Sequence, residues 1–129
     1  MVSYICSCLL HGQNDGSRTV RMTQQPYHSI NDLTVISEDE YYFTNDSAFN
    51  HHQGGWRMIE MMVPLNLGSI GYCKNGNNCK LVTSHNLAFP NGITWKKMNG
   101  RMQIYVTLYK GTEILIYQPD NNMNLDLVR

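Results

Sequence analysis

The 129-residue sequence predicts an all-β fold with one short helix. Two observations support this prediction. Short runs of β-branched and aromatic residues alternate with turns that contain Gly, Asn or Asp, a pattern typical of antiparallel sheets rather than strand–helix–strand units. In addition, a segment near residue 30 recurs near residue 90, which indicates a repeated supersecondary unit.

The predicted strands follow one another closely along the chain. A short strand is expected around Val20 and Met22, before the pattern becomes regular. Further strands are predicted, from their content of β-forming residues, at 33–36, 41–44, 70–73, 79–83, 93–95, 104–107 and 113–117. The pairs at 75–76, 99–100 and 110–111 each end in Gly and mark the turns between strands.

The segment 56–63 differs from these strands. It has apolar residues at Trp56, Ile59, Met62 and Val63, a spacing that fits a short amphipathic helix, although a strand is also compatible with it. Pro64 is expected to end this element. The prediction is therefore a helical insert between two groups of strands.

Four cysteines are present, in two groups. Cys6 and Cys8 are too close in sequence to pair easily, and no second pair at zinc-ligand spacing accompanies them. Cys73 and Cys79 flank a tight-turn composition and could face each other across a hairpin. They are either a disulfide, which would imply an oxidising compartment, or two reduced thiols on neighbouring strands.

Bulk composition excludes several classes of function. Ten basic residues balance ten acidic ones, so the charge gives no support for nucleic-acid binding. No apolar stretch is long enough for a transmembrane helix. The first residues lack a basic region and a cleavage site, so no clear signal peptide is predicted.

The internal repeat narrows the all-β prediction to a propeller. Asn31 aligns with Asn91 at an offset of 60, and the residues that follow keep the pattern apolar-Thr-apolar. The segments 42–44 and 105–107 then align at an offset of 63, both reading Tyr-apolar-Thr. Propellers need 4–8 blades of about four strands, whereas this chain would supply about two. We therefore expect an incomplete portion of a propeller, as a truncation, a gene-model fragment or half of an assembly.

Equivalent positions in successive blades point to equivalent places around a propeller axis. Asn31 and Asn91 form such a pair, and their amide oxygens are suitable ligands for Ca²⁺. Asp32 adds a carboxylate, while Asn45 and Asp46 are candidates for supporting positions. The alternative is that these asparagines simply serve turns, where Asn tolerates left-handed dihedrals.

The motifs, in order, are Ile30-Asn-Asp-Leu-Thr-Val35, Tyr42-Phe-Thr-Asn-Asp46 and Phe89-Pro-Asn-Gly-Ile-Thr-Trp95. Together they resemble the middle third of a serum paraoxonase/arylesterase chain, from about residue 28 to residue 129, with 1–27 as a poorly matched flank. The resemblance implies a six-bladed propeller that holds two calcium ions in its central tunnel and hydrolyses aryl esters and lactones.

By the same resemblance, Asn31 and Asn91 match ligands of the catalytic calcium, and Asp32 matches a ligand of the structural calcium. Phe89 matches a wall of the substrate pocket, and Asp46 lies in the Thr-Asn-Asp motif beside it. The family usually continues this motif with His, whereas this chain has Ser47. The family's catalytic His dyad lies upstream of the matched motifs and cannot be assigned to residues here.

The resemblance thus implies a secreted, calcium-dependent hydrolase of small aryl esters and lactones, with possible lipid or membrane association and no nucleic-acid partner. This chain by itself is expected to be inactive. The alternative is a non-catalytic propeller relative, acting as a binding module or as an accessory to a membrane protein. A neighbouring calcium propeller family, gluconolactonase-like or strictosidine-synthase-like, is disfavoured by the Thr-Asn-Asp motif.

Overall fold

The computed structural model of this chain describes residues 4–6, 20–22, 27, 29–48, 54–63, 65–75, 78–83 and 86–129. Strands dominate these residues, which confirms the predicted all-β class. The elements are β1 Tyr4–Cys6, β2 Val20–Met22, β3 Ile30–Val35, β4 Glu40–Asn45, α1 Gly54–Met62, β5 Ser69–Lys74, β6 Asn78–Leu81, β7 Pro90–Met98, β8 Arg101–Leu108, β9 Ile114–Pro119 and β10 Leu125–Leu127. The predicted flank 1–27 is described only at β1, β2 and Tyr27.

Eight of the strands form two antiparallel sheets in simple sequence order. Sheet I runs β3-β4-β5-β6 and sheet II runs β7-β8-β9-β10, while β1 and β2 pair separately. Each connection within a sheet is therefore a hairpin or a short loop, except where α1 intervenes between β4 and β5. At the predicted Asn99-Gly100 turn both φ angles are positive, 51° and 79°, which suits a two-residue hairpin connection.

The predicted repeat is present in the strand register. In sheet I, Leu33 lies opposite Phe43 on the neighbouring strand. In sheet II, Ile93 lies opposite Val106. These pairs are related by the same offsets of 60 and 63 that align the sequence, so the two halves share one register as well as one pattern.

The two sheets stack so that corresponding faces point the same way. Tyr42, Ile70 and Tyr72 of sheet I pack in one core with Ile93 and Ile104 of sheet II. The opposite face of sheet I carries a second buried cluster: Tyr27, Leu33, Tyr41, Phe43 and Cys73. Because Leu33 and Phe43 are the counterparts of Ile93 and Val106, the same face of each repeat is buried. Sheet II is therefore stacked on sheet I in the same orientation, and the two sheets are not related by a two-fold axis that would bring equivalent faces together.

Gly71 provides the close approach that this second cluster requires. It lies directly opposite Phe43 across the β4–β5 pair. A Cβ atom at position 71 would lie 2.0 Å from Phe43 Cζ, far inside van der Waals contact. The fully buried Phe43 ring therefore depends on the missing side chain at Gly71.

Cys73 and Cys79 form a disulfide, which decides between the two possibilities left by the sequence. They lie opposite each other on β5 and β6, with Cα atoms 4.0 Å apart. The predicted hairpin is thus confirmed, and the disulfide ties the edge strand β6 to the buried strand β5.

Helix α1 confirms the predicted insert, but its predicted apolar face is not buried. Ile59 is 46% exposed, Met62 82% and Val63 40%. Glu60, by contrast, is 0% exposed. Among the described side chains of this helix, Glu60 is therefore the buried one, and its contacts are given below. Among the described residues, no helix has the length and apolarity needed to cross a membrane.

Candidate functional site

The candidate site lies where β3 and β7 begin. Both strands have a break in register there, between Ile30 and Leu33 in one sheet and between Pro90 and Ile93 in the other. Asn31 and Asn91 lie at the same place in these two breaks, and both side chains are exposed. The two asparagines therefore occupy equivalent places in the strand register as well as in the sequence.

A threonine hydroxyl holds each break in the same way. The Asp32 amide donates to Thr44 Oγ1 at 3.1 Å, and the Gly92 amide donates to Thr107 Oγ1 at 3.0 Å. Each threonine lies on the following strand of its own sheet. An amide displaced from the strand ladder thus finds an acceptor, which a bulged backbone requires.

In sheet I the same residues also reach across to sheet II. Thr44 Oγ1 donates to the Asn91 carbonyl at 2.7 Å, and Asp32 Oδ2 accepts from the Ile93 amide at 3.0 Å. Asp32 Oδ1 accepts from the amide of Leu33 at 2.8 Å. These bonds bring all three predicted metal-facing residues, Asn31, Asp32 and Asn91, to one junction between the sheets. They also give Asp32 a structural task at that junction.

Asp46 lies beside Asn31, whose amide nitrogen donates to Asp46 Oδ2 at 3.3 Å. The Asp46 backbone amide donates to the Ser29 carbonyl at 2.9 Å. Only 5% of Asp46 is exposed, so it supports Asn31 from within the protein. Asn45, a predicted supporting residue, is also buried and holds the turn by accepting from the Ser29 amide and donating to the Ser47 carbonyl.

Phe89, the predicted pocket wall, has φ of 53° and is buried. Positive φ at a bulky residue costs roughly 1–3 kcal/mol and is retained only where surrounding contacts enforce it. Here the Phe89 carbonyl accepts from the Tyr109 amide at 2.8 Å. Lys110 Nζ lies over the Phe89 ring, 4.7 Å from its centroid, in a cation–π contact.

Sequence reasoning missed Glu60 and Lys110. The Ser47 hydroxyl donates to Glu60 Oε2, and both residues are fully buried. Lys110 Nζ donates to the Glu60 carbonyl at 3.0 Å. A single acidic residue within the apolar segment 56–63 was the available signal for Glu60. Nothing local to Lys110 indicated a contact with residues so far away in sequence.

The donor set at the junction fits part of a calcium shell. Asn31 and Asn91 offer neutral amide oxygens, and Asp32 offers a carboxylate whose oxygens each have a second lone pair beyond the amide they accept. These are the hard oxygen ligands that Ca²⁺ takes, but it takes 6–8 of them. The described residues contain no cluster of three or more His, Cys, Asp or Glu side chains suited to a metal ion.

Comparison with known proteins gives the family. No curated protein matches the chain significantly. The arylesterase family model matches residues 13–129, which include both sheets, helix α1 and the junction with its two asparagines. Because that match spans most of the chain, this protein belongs to the arylesterase family.

Proposed function

We propose that this chain is part of a calcium-dependent hydrolase of aryl esters and lactones, and that Asn31, Asp32 and Asn91 face the metal. The observation that carries the proposal is the pair of equivalent, exposed asparagines in matching breaks of β3 and β7. Hydrogen bonds join the two breaks, and both asparagine side chains are accessible. Membership of the arylesterase family supports the ester-hydrolase assignment.

The proposed setting is a six-bladed propeller in which sheets I and II are two successive blades. Tyr105, the repeat counterpart of the buried Tyr42, lies on the outer face of sheet II beside Ile116. On that face Ile114 is 54% exposed. An apolar face that repeats the buried face of sheet I supports a further sheet at this position. Closure would need sheets beyond these two, since propellers have 4–8 blades.

In this proposal the chain's own residues bind and orient, and none is assigned as a general base. Asn31 and Asn91 would hold calcium, with Asp32 contributing a carboxylate while it also joins the sheets. Phe89 and Asp46 would border the substrate pocket, Asp46 by fixing the Asn31 amide. When bound, calcium would polarise the substrate carbonyl and stabilise the negative charge that develops on its oxygen.

A non-catalytic relative is the second candidate, and Ser47 is the observation that favours it. The family usually has His at this position, whereas here a fully buried serine is engaged with Glu60. The Ser47 hydroxyl is therefore committed to a buried contact with the helix. Such a protein would be a binding or accessory module. Both candidates are placed outside the cell, in keeping with the Cys73–Cys79 disulfide.

Enzyme assays and calorimetry test the proposal. With an aryl ester or a lactone and excess Ca²⁺, the chain alone is expected to show no turnover. Turnover that disappears in Asn91→Ala would contradict that expectation and mean that the site is complete. Calorimetry is expected to give weak calcium binding that Asn31→Ala and Asn91→Ala abolish, whereas the exposed Asn121→Ala control leaves it unchanged. Calcium binding that ignores both site variants would make the metal assignment wrong.

A further inference from the structure

Helix α1 is attached through a polar residue, which is unusual for so short an element. Met58 is 66% exposed and Met62 82%, whereas Glu60 between them is fully buried. Burying a carboxylate costs several kcal/mol unless it is paired, so a buried glutamate in a surface helix needs a specific partner. Among the described residues the Glu60 carboxylate accepts one hydrogen bond, from Ser47 to Oε2, and its Oε1 atom has no partner. The backbone carbonyl of Glu60 accepts separately from Lys110.

The two partners of Glu60 occupy equivalent positions of the repeat. Ser47 comes two residues after the end of β4, and its hydroxyl donates to Glu60 Oε2. Lys110 comes two residues after the end of β8, and its ammonium donates to the Glu60 carbonyl at 3.0 Å and to the Val63 carbonyl at 3.5 Å. The last turn of α1 has no basic residue of its own. Lys110 therefore supplies the cation that stabilises a helix C-terminus.

Both contacts lead onward to residues of the candidate site. Ser47 directly follows Asp46, which accepts from the Asn31 amide at 3.3 Å. Lys110 lies over the Phe89 ring at 4.7 Å. One helix residue thus connects, in opposite directions, to the Asn31 side and to the Phe89 side of the junction.

We infer that Glu60 is a positioning residue, which holds α1 across the ends of β4 and β8 and thereby fixes Asp46 against Asn31. The inference deepens the proposed function, since it assumes that this corner faces the substrate. The anchoring itself depends only on the contacts of Ser47 and Lys110. Glu60 touches neither the proposed metal nor the substrate, and its side chain acts through Ser47 and the adjoining Asp46.

Hydrogen exchange of the full chain tests the anchoring. Glu60→Leu is expected to make the amides of α1 exchange about tenfold faster or more, with β8 unchanged, because the buried hydrogen bond between Ser47 and Glu60 is lost. Ser47→Ala is expected to give the same increase. Glu60→Gln should keep near wild-type exchange, since its amide oxygen still accepts from Ser47. The control is Glu113→Leu, which removes an exposed carboxylate just before β9.

The side-chain amide resonance of Asn31, recorded without metal, gives the second readout. It is expected to shift in Glu60→Leu and in Ser47→Ala, and to stay in place in Glu60→Gln and Glu113→Leu. The inference would be overturned if the α1 amides exchanged equally fast in Glu60→Leu and Glu113→Leu. It would also be overturned if the Asn31 resonance did not shift in Glu60→Leu. Adding Ca²⁺ to the wild type tests the proposed function separately. If no Asn31 or Asn91 resonance responds to Ca²⁺, the metal proposal fails while the exchange contrast still supports the positioning role.

Discussion

Replacing Thr44 by valine removes the hydroxyl that joins the two sheets while keeping nearly the same shape. Thr44 is fully buried, and its Oγ1 atom makes two bonds that matter here. It accepts from the Asp32 amide at 3.1 Å and donates to the Asn91 carbonyl at 2.7 Å. The substitution therefore leaves one backbone donor and one backbone acceptor at the junction without their partner.

The repeat allows the cost to be estimated against an internal reference. A hydrogen bond contributes about 1 kcal/mol net, and a buried group left without a partner costs about 1–3 kcal/mol. For Thr44→Val we expect a loss of about 2–3 kcal/mol in the free energy of unfolding. The equivalent Thr107 is exposed and bonds only within its own sheet, to the amide and carbonyl of Gly92. Water can replace that hydroxyl, so Thr107→Val should cost about 0.5 kcal/mol.

Urea unfolding followed by far-ultraviolet circular dichroism measures both variants. Thr44→Val is expected to lower the unfolding midpoint at unchanged m-value. In thermal scans its melting temperature should fall by roughly 8–12 °C, because each kcal/mol corresponds to several degrees in a domain of this size. Equal effects of Thr44→Val and Thr107→Val, or a loss below about 0.5 kcal/mol for Thr44→Val, would refute the claim that this hydroxyl joins the sheets.

Two further predictions concern sheet I. Cys79→Ala opens a disulfide that spans a separation of 6 residues and should lower the free energy of unfolding by about 2 kcal/mol. Reductant should then lower the urea midpoint of the wild type and leave that of the variant unchanged. A wild-type midpoint that does not change with reductant would contradict the disulfide. The Tyr72 hydroxyl, donating at 2.6 Å, lowers the pKa of Glu40 below its ordinary 4.5. Stability from this group is present above pH 4.5 and is lost as pH falls through the lowered value. In Glu40→Gln the urea midpoint should depend less on pH in that acid range than it does in the wild type. The same pH dependence in both proteins would argue against this contribution of Glu40.

The sequence predicted those features that depend on local pattern. Strands with β-forming residues and Gly-containing turns were found close to their positions, and the alignment of Asn31 with Asn91 survived in the register. β10 was missed because Leu125–Leu127 is three residues long and has no period to detect. Strands β7 and β8 extend further than predicted because their outer residues are polar and gain strand structure from pairing rather than from propensity.

The predictions failed where a contact joins distant parts of the chain. The spacing of apolar residues in α1 predicted an amphipathic helix, but it gave no sign of the contacts of Glu60 with residues that follow β4 and β8. Thr44 was visible as part of the repeated Tyr-apolar-Thr pattern. Its hydrogen bond to the Asp32 amide could not be predicted from the sequence, because that amide is displaced from the strand ladder only by the break in β3. Periodicity counts neighbours along one element and cannot report such pairs.

The two repeats differ at the residue that follows each asparagine, and this difference separates a structural role from the role that the asparagines share. Position 32 is Asp and its counterpart, position 92, is Gly. The Asp32 carboxylate bonds to the Ile93 amide of the next sheet, whereas Gly92 has no side chain to make such a bond. A Cβ atom at position 92 would lie 3.0 Å from Thr107 Oγ1, so the glycine also keeps the threonine bond unhindered. The structural crosslink is therefore made once, at sheet I. The asparagine before it is present in both repeats and exposed in both. If the asparagine served only the crosslink, it would not be needed at position 91, where the following Gly92 makes no such bond. This supports a task that Asn31 and Asn91 share and that is separate from joining the sheets.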